Sequence, residues 1–192
     1  LYPVYLISRP FIEKYAPHFV HFYSRIIIKL FNVQISGNYK SKLKKSSKGR
    51  LIISNHLSYL DIIAIASQGP VNFVTSNELK ETPLLGTLSR LGGCLFIERR
   101  NKANIHNEVH EITRAMEQGR DVVIFPEATS HDGSEVLRFR RPLFQAAINA
   151  STDIIVSVLN YRTINHRPVN ITNRDLICWY GDMGFFPHLL KL

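Results

Sequence analysis

With 192 residues, 45% of them hydrophobic and 20% charged, the chain has the size and composition of one globular domain and is not disordered. Two cysteines exclude a disulfide-stapled scaffold and are too few for a zinc site by themselves. The formal net charge of +9 is the anomaly, and it points to an anionic partner: a nucleic acid, a membrane surface or a phosphorylated substrate. No apolar run reaches the ~18 residues of a transmembrane helix, and the N-terminus lacks a signal-peptide layout. The chain begins at Leu1 and stops at Leu192 inside an apolar run, so it reads as a piece of a longer protein, truncated within its C-terminal domain.

Residues 1–39 read as an N-terminal helical segment that associates with membrane. Pro3, Pro10 and Pro17 punctuate its opening, and from Phe19 to Val33 the pattern is helical. His21, Arg25, Lys29 and Asn32 form one narrow polar stripe, and the rest of that helix is apolar. Such a helix either packs on a core with the stripe in solvent or lies in a lipid interface with its cations at headgroup level. Residues 40–50 follow as a basic linker, with Lys40, Lys42, Lys44, Lys45, Lys48 and Arg50 in a solvated, Ser- and Gly-containing stretch. It lacks the interleaved aromatics of a single-strand nucleic-acid patch.

Residues 51–192 alternate short apolar runs with helical stretches. Leu51–Ser54, Val71–Thr75, Cys94–Ile97, Asp121–Phe125 and Ile154–Asn160 are predicted strands. Tyr59–Ala66, Pro83–Leu91, Ile105–Glu117 and Pro142–Ala150 are predicted helices, Pro142 suiting a first helical position. This alternation predicts an α/β domain with a mostly parallel sheet flanked by helices. Chemistry in such sheets gathers in the loops after the strands' carboxyl ends.

Three of those loops carry reactive residues. After the first strand come Asn55-His56-Leu57-Ser58-Tyr59-Leu60-Asp61. A carboxylate on one imidazole nitrogen fixes the tautomer and leaves the other nitrogen free to take a proton. No Gly-x-Ser-x-Gly elbow accompanies the pair, so the nucleophile is expected to be a substrate hydroxyl. After the third strand come Glu98, Arg99, Arg100 and Lys102, where Arg99 is placed to grip an anion. After the fourth come Pro126, Glu127 and Thr129, able to hydrogen-bond a hydroxylated substrate.

The three blocks, in this order, resemble the glycerolipid acyltransferase superfamily, which includes the 1-acylglycerol-3-phosphate acyltransferases. Its first block, Asn-His-x-Ser-x-x-Asp, with His and Asp in HX4D spacing, is matched by Asn55, His56, Ser58 and Asp61. Its second, Gly-x-x-Phe-Ile-x-Arg, is matched by Gly93, Phe96, Ile97 and Arg99. Its third, Phe-Pro-Glu-Gly-Thr-Arg-Ser, is matched at Phe125, Pro126, Glu127 and Thr129. The resemblance implies a glycerol-3-phosphate acyltransferase-like fold and transfer of an acyl group from acyl-CoA or acyl carrier protein to a lysolipid hydroxyl. The expected acceptor is 1-acylglycerol-3-phosphate, giving phosphatidic acid.

By the same resemblance His56 is the general base and Asp61 its orienter. Arg99 contacts the acceptor's anionic group, Glu127 positions the acceptor, and Asn55, Ser58 and Thr129 join the substrate-binding set. No metal or cofactor is implied. Membrane association is, at the cytoplasmic face of the inner or plasma membrane, and it would account for both the charge and the apolar N-terminal helix.

Departures from the pattern bear on the acceptor. Ala128 replaces the family's glycine, Ser130 stands where an arginine often serves the phosphate site, and Ser157 replaces a proline. Arg138, Arg140 and Arg141 are candidate substitutes for the lost cation. The Glu-Ala-Thr-Ser and Trp179-Tyr180-Gly181-Asp182-Met183 stretches resemble relatives that acylate lyso-ornithine lipid, an alternative acceptor. The rival from another class is a non-catalytic module binding anionic membrane or nucleic acid through Lys40–Arg50 and Arg138–Arg141, but no nucleic-acid motif accompanies these patches. His106 and His110 share a helix face but lack His-Glu-x-x-His spacing and a third ligand, and read as a solvent stripe.

Overall fold

Alternation of apolar runs and amphipathic stretches builds a parallel sheet covered on both faces. The structure, a computed structural model, describes residues 2–37, 47–98 and 105–192, with side chains from residue 14 onward. Arg99, Arg100 and Lys102 lie outside the described residues, as do Lys40, Lys42, Lys44 and Lys45 of the basic run.

The elements are α1 (Tyr2–Leu30), β1 (Leu51–Ser54), α2 (Tyr59–Gln68), β2 (Asn72–Ser76), α3 (Asn77–Lys80), α4 (Leu85–Leu91) and β3 (Leu95–Ile97). After them come α5 (Ile105–Glu117), β4 (Val122–Ile124), α6 (Gln145–Ala150), β5 (Ile154–Ser157), β6 (Thr163–Ile164), β7 (Arg167–Pro168) and α7 (Phe185–Leu189). The five main strands run in the order β3-β2-β4-β1-β5, every pairing parallel, with Ile52 opposite Val123 and Ile155. All five predicted strands form, β5 ending three residues early at Ser157. Pro142 opens a 3-10 turn that continues into α6, so the expected single helix is two.

Successive residues of a strand face opposite sides, and a sheet covered on both sides therefore reads as continuous apolar sequence. Leu51, Ile53, Val122 and Ile124 pack beneath Ile112 and Met116 of α5 and Ala146 and Ala147 of α6. Ile52 and Val123 join Phe73 under Ile65 and Ala66 of α2, with Val20 of α1 against them. All the loops carrying the three blocks leave the same, carboxyl, edge of this sheet.

Two readings of the N-terminal region need correction. The helix begins at Tyr2 rather than Phe19 and runs through Pro10 and Pro17. Proline forfeits one hydrogen bond but keeps a helical φ, so it interrupts the ladder without ending the helix. The stripe is also not wholly turned to solvent. His21 is half-buried and donates from Nδ1 to the Ala66 carbonyl of α2 at 2.7 Å, while Phe19, Phe22, Tyr23, Ile26 and Leu30 are exposed. The last two cations of the basic run are built into the fold. Lys48 donates to the Ala150 carbonyl at 2.7 Å, and Arg50 grips Asp121 through Nε at 3.1 Å and Nη2 at 2.7 Å.

Candidate active site

The chain leaves β1 at Ser54 and turns at once into α2, and this turn is held by its own side chains. Ser58 is the N-cap of α2 and Asp61 the third helical residue, forming a reciprocal capping box. The Ser58 hydroxyl accepts from the Leu60 N–H at 3.3 Å, and Asp61 Oδ2 accepts from the Leu57 and Ser58 N–H groups at 2.6 and 2.8 Å. The box brings Asp61 back under the turn, where Oδ2 also accepts from His56 Nδ1 at 2.9 Å. Asp61 is fully buried, and its second oxygen accepts from the Tyr161 hydroxyl at 2.5 Å. Four donors converge on a group that, as a carboxylate, can only accept. With Nδ1–H committed to Asp61, the neutral His56 imidazole keeps a lone pair on Nε2.

His56 is fixed from other directions too. Its ring stacks on Phe125 with centroids 4.0 Å apart and planes at 15°, and Phe125 stacks in turn on Phe73. Asn55 takes the Leu159 N–H on Oδ1 at 2.8 Å and donates from Nδ2 to the Leu159 carbonyl at 3.0 Å, clamping the loop to the chain after β5. Asn55 and Ser58, expected in the substrate-binding set, are thus committed to backbone partners.

The third block begins with β4. Glu127 is 4% exposed; its Oε2 accepts from the Leu137 N–H at 3.3 Å and lies 2.5 Å from His131 Nε2 in an ion-pair contact that misses hydrogen-bond geometry. His131 Nδ1 accepts from the Gly133 N–H at 3.1 Å, which assigns the ring proton to Nε2, facing Glu127. Glu127 Oε1 has no partner among the described residues. It lines a cleft of about 780 Å³ shared with Phe125, Pro126, Arg138, Arg140 and Arg141. Ala128 occupies the left-handed region with φ at 62°, the conformation the family's glycine adopts without strain. Thr129 is exposed, and its hydroxyl bonds the Ser130 carbonyl at 3.3 Å.

The His131 N–H donates to the His56 carbonyl at 3.2 Å, so the first and third blocks are joined directly. The C-terminal segment adds a further brace. The Trp179 N–H donates to the Leu57 carbonyl at 2.8 Å, and the Trp179 indole closes its own turn on the Met183 carbonyl at 2.8 Å. His188, buried, accepts from the Tyr59 hydroxyl on Nδ1 at 2.9 Å and donates from Nε2 to the Cys178 carbonyl at 3.1 Å. Burial pushes the Tyr59 hydroxyl up to about 12 and the Cys178 thiol up to about 11, so both stay neutral donors in the physiological range. Burial, with Asp61 beside it, raises the Tyr161 hydroxyl further.

Sequence reasoning brought His56, Asp61 and Glu127 forward but missed Tyr161, His131 and His188. Tyr161 lies a hundred positions from Asp61 and belongs to no motif. His131 carried a local signal, four residues after Glu127 in the same loop. His106 and His110 are exposed, on the side of α5 away from Val109, Ile112 and Met116.

Residues 32–160 match the family model described as Acyltransferase. The chain belongs to the acyltransferase family. It is 36% identical over 147 residues to the lyso-ornithine lipid O-acyltransferase of Rhizobium meliloti (strain 1021), covering 73% of this chain and 50% of that protein. It is 34% identical over 113 residues to the 1-acyl-sn-glycerol-3-phosphate acyltransferase of Neisseria gonorrhoeae, covering 59% of this chain and 44% of that protein. Its fold is shared with the crystal structure of the 1-acyl-sn-glycerophosphate (LPA) acyltransferase, PlsC, from Thermotoga maritima. That match has a TM-score of 0.57 and 17% identity, covering 74% of this chain and 56% of that one. The chain thus spans about half the length of these relatives.

Proposed function

We propose that the protein is the catalytic part of a lysolipid O-acyltransferase using acyl-CoA or acyl carrier protein as donor. The observation that carries this reading is the His56–Asp61 pair, with Nδ1 held on a fully buried carboxylate and Nε2 left as base. In the reaction the acceptor's hydroxyl gives its proton to His56 Nε2 as its oxygen attacks the thioester carbonyl. The C–S bond then breaks, and the imidazolium returns the proton to the departing thiolate. Proton transfer of this kind contributes about 10²–10⁴-fold. No acyl-enzyme is invoked: Ser58 is fully buried as a helix cap, and Cys178 is a buried thiol held neutral.

Lyso-ornithine lipid is the acceptor best supported. Ser130 stands where the phosphate-site arginine would be, and the Trp179–Met183 stretch is folded against the His56 loop. The likeness to the Neisseria gonorrhoeae enzyme supports 1-acylglycerol-3-phosphate as the second reading.

The reaction would take place at a membrane surface, on its cytoplasmic face. No helix among the described residues is long and apolar enough to cross a membrane. Supporting surface attachment, α1 exposes Phe19, Phe22, Ile26 and Leu30 beside a border of Lys14, His18, Arg25 and Lys29. An apolar face lined by cations is suited to lie in a headgroup layer, each cation near an anionic surface adding about 1 kcal/mol.

The test is transfer from labelled acyl-CoA and acyl carrier protein to lyso-ornithine lipid, lysophosphatidic acid and glycerol 3-phosphate, with His56→Ala alongside. Product with one acceptor, lost in the variant, is expected. A folded, liposome-bound protein that yields no product with any pair would replace the enzyme by a membrane-binding module.

A further inference from the structure

The third block lacks the arginine that serves the anion in its family, yet the cleft beside Glu127 does not lack cations. The chain after the block runs without regular secondary structure from Val136 to Arg141 and is pinned back onto it at two points. The Leu137 N–H donates to Glu127 Oε2 at 3.3 Å, and the Arg140 N–H donates to the Pro126 carbonyl at 2.8 Å. These bonds bracket Arg138 and hold both arginines at the cleft wall, and the rigid ring of Pro142 closes the segment. The guanidinium groups of Arg138, Arg140 and Arg141 make no ion pair among the described residues. In the same cleft Glu127, 4% exposed, keeps Oε1 without a partner.

A buried carboxylate oxygen without a donor costs about 1–3 kcal/mol or more unless something fills it, and unpaired arginines on a cleft wall make a ready fork for a planar or tetrahedral anion. Arg138 and Arg140 line the same cleft, so both can act on one group.

We infer that Arg138 and Arg140 read the acceptor's anionic group in place of the arginine absent at Ser130, while Glu127 Oε1 takes an N–H or O–H donor from the same headgroup. This rests on the lysolipid acyltransferase reading and deepens it. The ligand carries an acid a few bonds from a hydrogen-bond donor. A lyso-ornithine headgroup has its carboxylate beside an amide N–H and its ammonium at the end of the side chain. A lysophosphatidic headgroup has its phosphate near a hydroxyl. The two therefore share this chemistry and are told apart by the assay.

Equilibrium binding of short-chain lyso-ornithine lipid and of short-chain lysophosphatidic acid is measured by titration calorimetry on the wild-type chain, on R138A/R140A and on R138K/R140K. Transfer kinetics on the same proteins then separate the KM of the acceptor from that of acyl-CoA. Both arginines are exposed, so the variants keep the wild-type Tm. The alanine pair should weaken binding of the preferred acidic acceptor about ten- to hundredfold and raise its KM to match, with the KM of acyl-CoA unchanged. The lysine pair should fall between, having charge without the planar fork.

Acceptor binding unchanged in the alanine pair overturns the proposal, and so does a rise confined to the KM of acyl-CoA, which would assign the arginines to the donor's phosphates. If the wild-type chain binds neither acidic lysolipid, this inference fails together with the function. Binding that depends on the arginines without any transfer would support the Arg138–Arg140 anion site and refute the reaction.

Discussion

Tyr161→Phe tests whether the base is held as the geometry says. The change deletes one oxygen and leaves the ring. It removes the 2.5 Å bond to Asp61 Oδ1, while the bonds from Leu57, Ser58 and His56 to Oδ2 remain. A hydrogen bond to a buried charged group is worth about 1.5–3 kcal/mol. Taking about 2 kcal/mol, a chain of this size should lose about 4–8 °C of Tm, a sizeable part of a typical 5–15 kcal/mol. His56 still has its carboxylate, so kcat/KM should fall about tenfold, equivalent to about 1.4 kcal/mol of lost positioning. His56→Ala should lose about 10²–10⁴-fold in rate and, since it gives up a bond to the same buried carboxylate and a stack on Phe125, at least as much Tm as Tyr161→Phe.

Thermal unfolding followed by circular dichroism and initial rates below the transition give both numbers. A double-mutant cycle with Asp61→Asn isolates the pair, with a coupling of about 0.5–3 kcal/mol expected. A Tyr161→Phe protein with unchanged Tm and rate would refute the reasoning, since the hydroxyl would then not hold Asp61. Strictly additive losses in the cycle would assign the effect to packing instead.

Three further outcomes follow from single residues. Ala128→Gly should raise stability by about 0.5–1 kcal/mol in denaturant titration. It removes about 1–2 kcal/mol of left-handed strain at φ 62° and adds about 0.5–1 kcal/mol of unfolded-chain entropy. Asn55→Ala should cost about 1–3 kcal/mol and lower the rate as well, because the Leu159 N–H and carbonyl lose their partners and the His56 loop loses its clamp. Stability should hold between pH 8 and 9 and fall above 9. The Cys178 thiol, ordinarily at 9.0, is pushed up to about 11 in the folded chain, so above pH 9 the unfolded chain sheds the proton first and the contribution is lost as pH rises through 11. Urea midpoints from pH 8 to 11 check this, and for the same reason Cys178 should resist alkylation at pH 8 until the chain is unfolded.

The sheet was legible because its central strands are buried on both faces and read as apolar runs, with Leu51–Ile53 the clearest case. The dyad was legible because a capping box is a local device: Ser58 and Asp61 are three residues apart, and the helix turn itself brings the carboxylate under His56. Tyr161, by contrast, reaches Asp61 only because β5 lies beside β1, and no local pattern encodes that pairing. The direction of α1 was illegible for another reason. Periodicity tells which residues share a face, and the stripe holds from His21 to Lys29, with Asn32 lying past the helix end at φ 51°, but it does not tell which face turns inward. Here Ala16, Ser24 and half of the His21 ring face the domain, and the aromatic side is left outside.

The departures in the third block make physical sense together. In a glycine-containing loop the turn after β4 needs no support, whereas Ala128 holds a left-handed conformation that must be over-determined by its surroundings. Those surroundings are visible on both sides. The Ala128 N–H donates to the Phe125 carbonyl at 2.9 Å, Glu127 is gripped by His131 and Leu137, and His131 is itself bonded to the His56 carbonyl. The residues that stiffen the loop therefore also fix the distance between the base and the carboxylate at the cleft. His131→Ala should expose this coupling. Glu127 would lose its ring partner and be left with only the Leu137 N–H, so acceptor KM should rise about tenfold, while His131→Gln, which can still donate to Glu127, should recover much of it. If the glutamine protein is no better than the alanine protein, the His131 ring serves only to fill space and does not position Glu127.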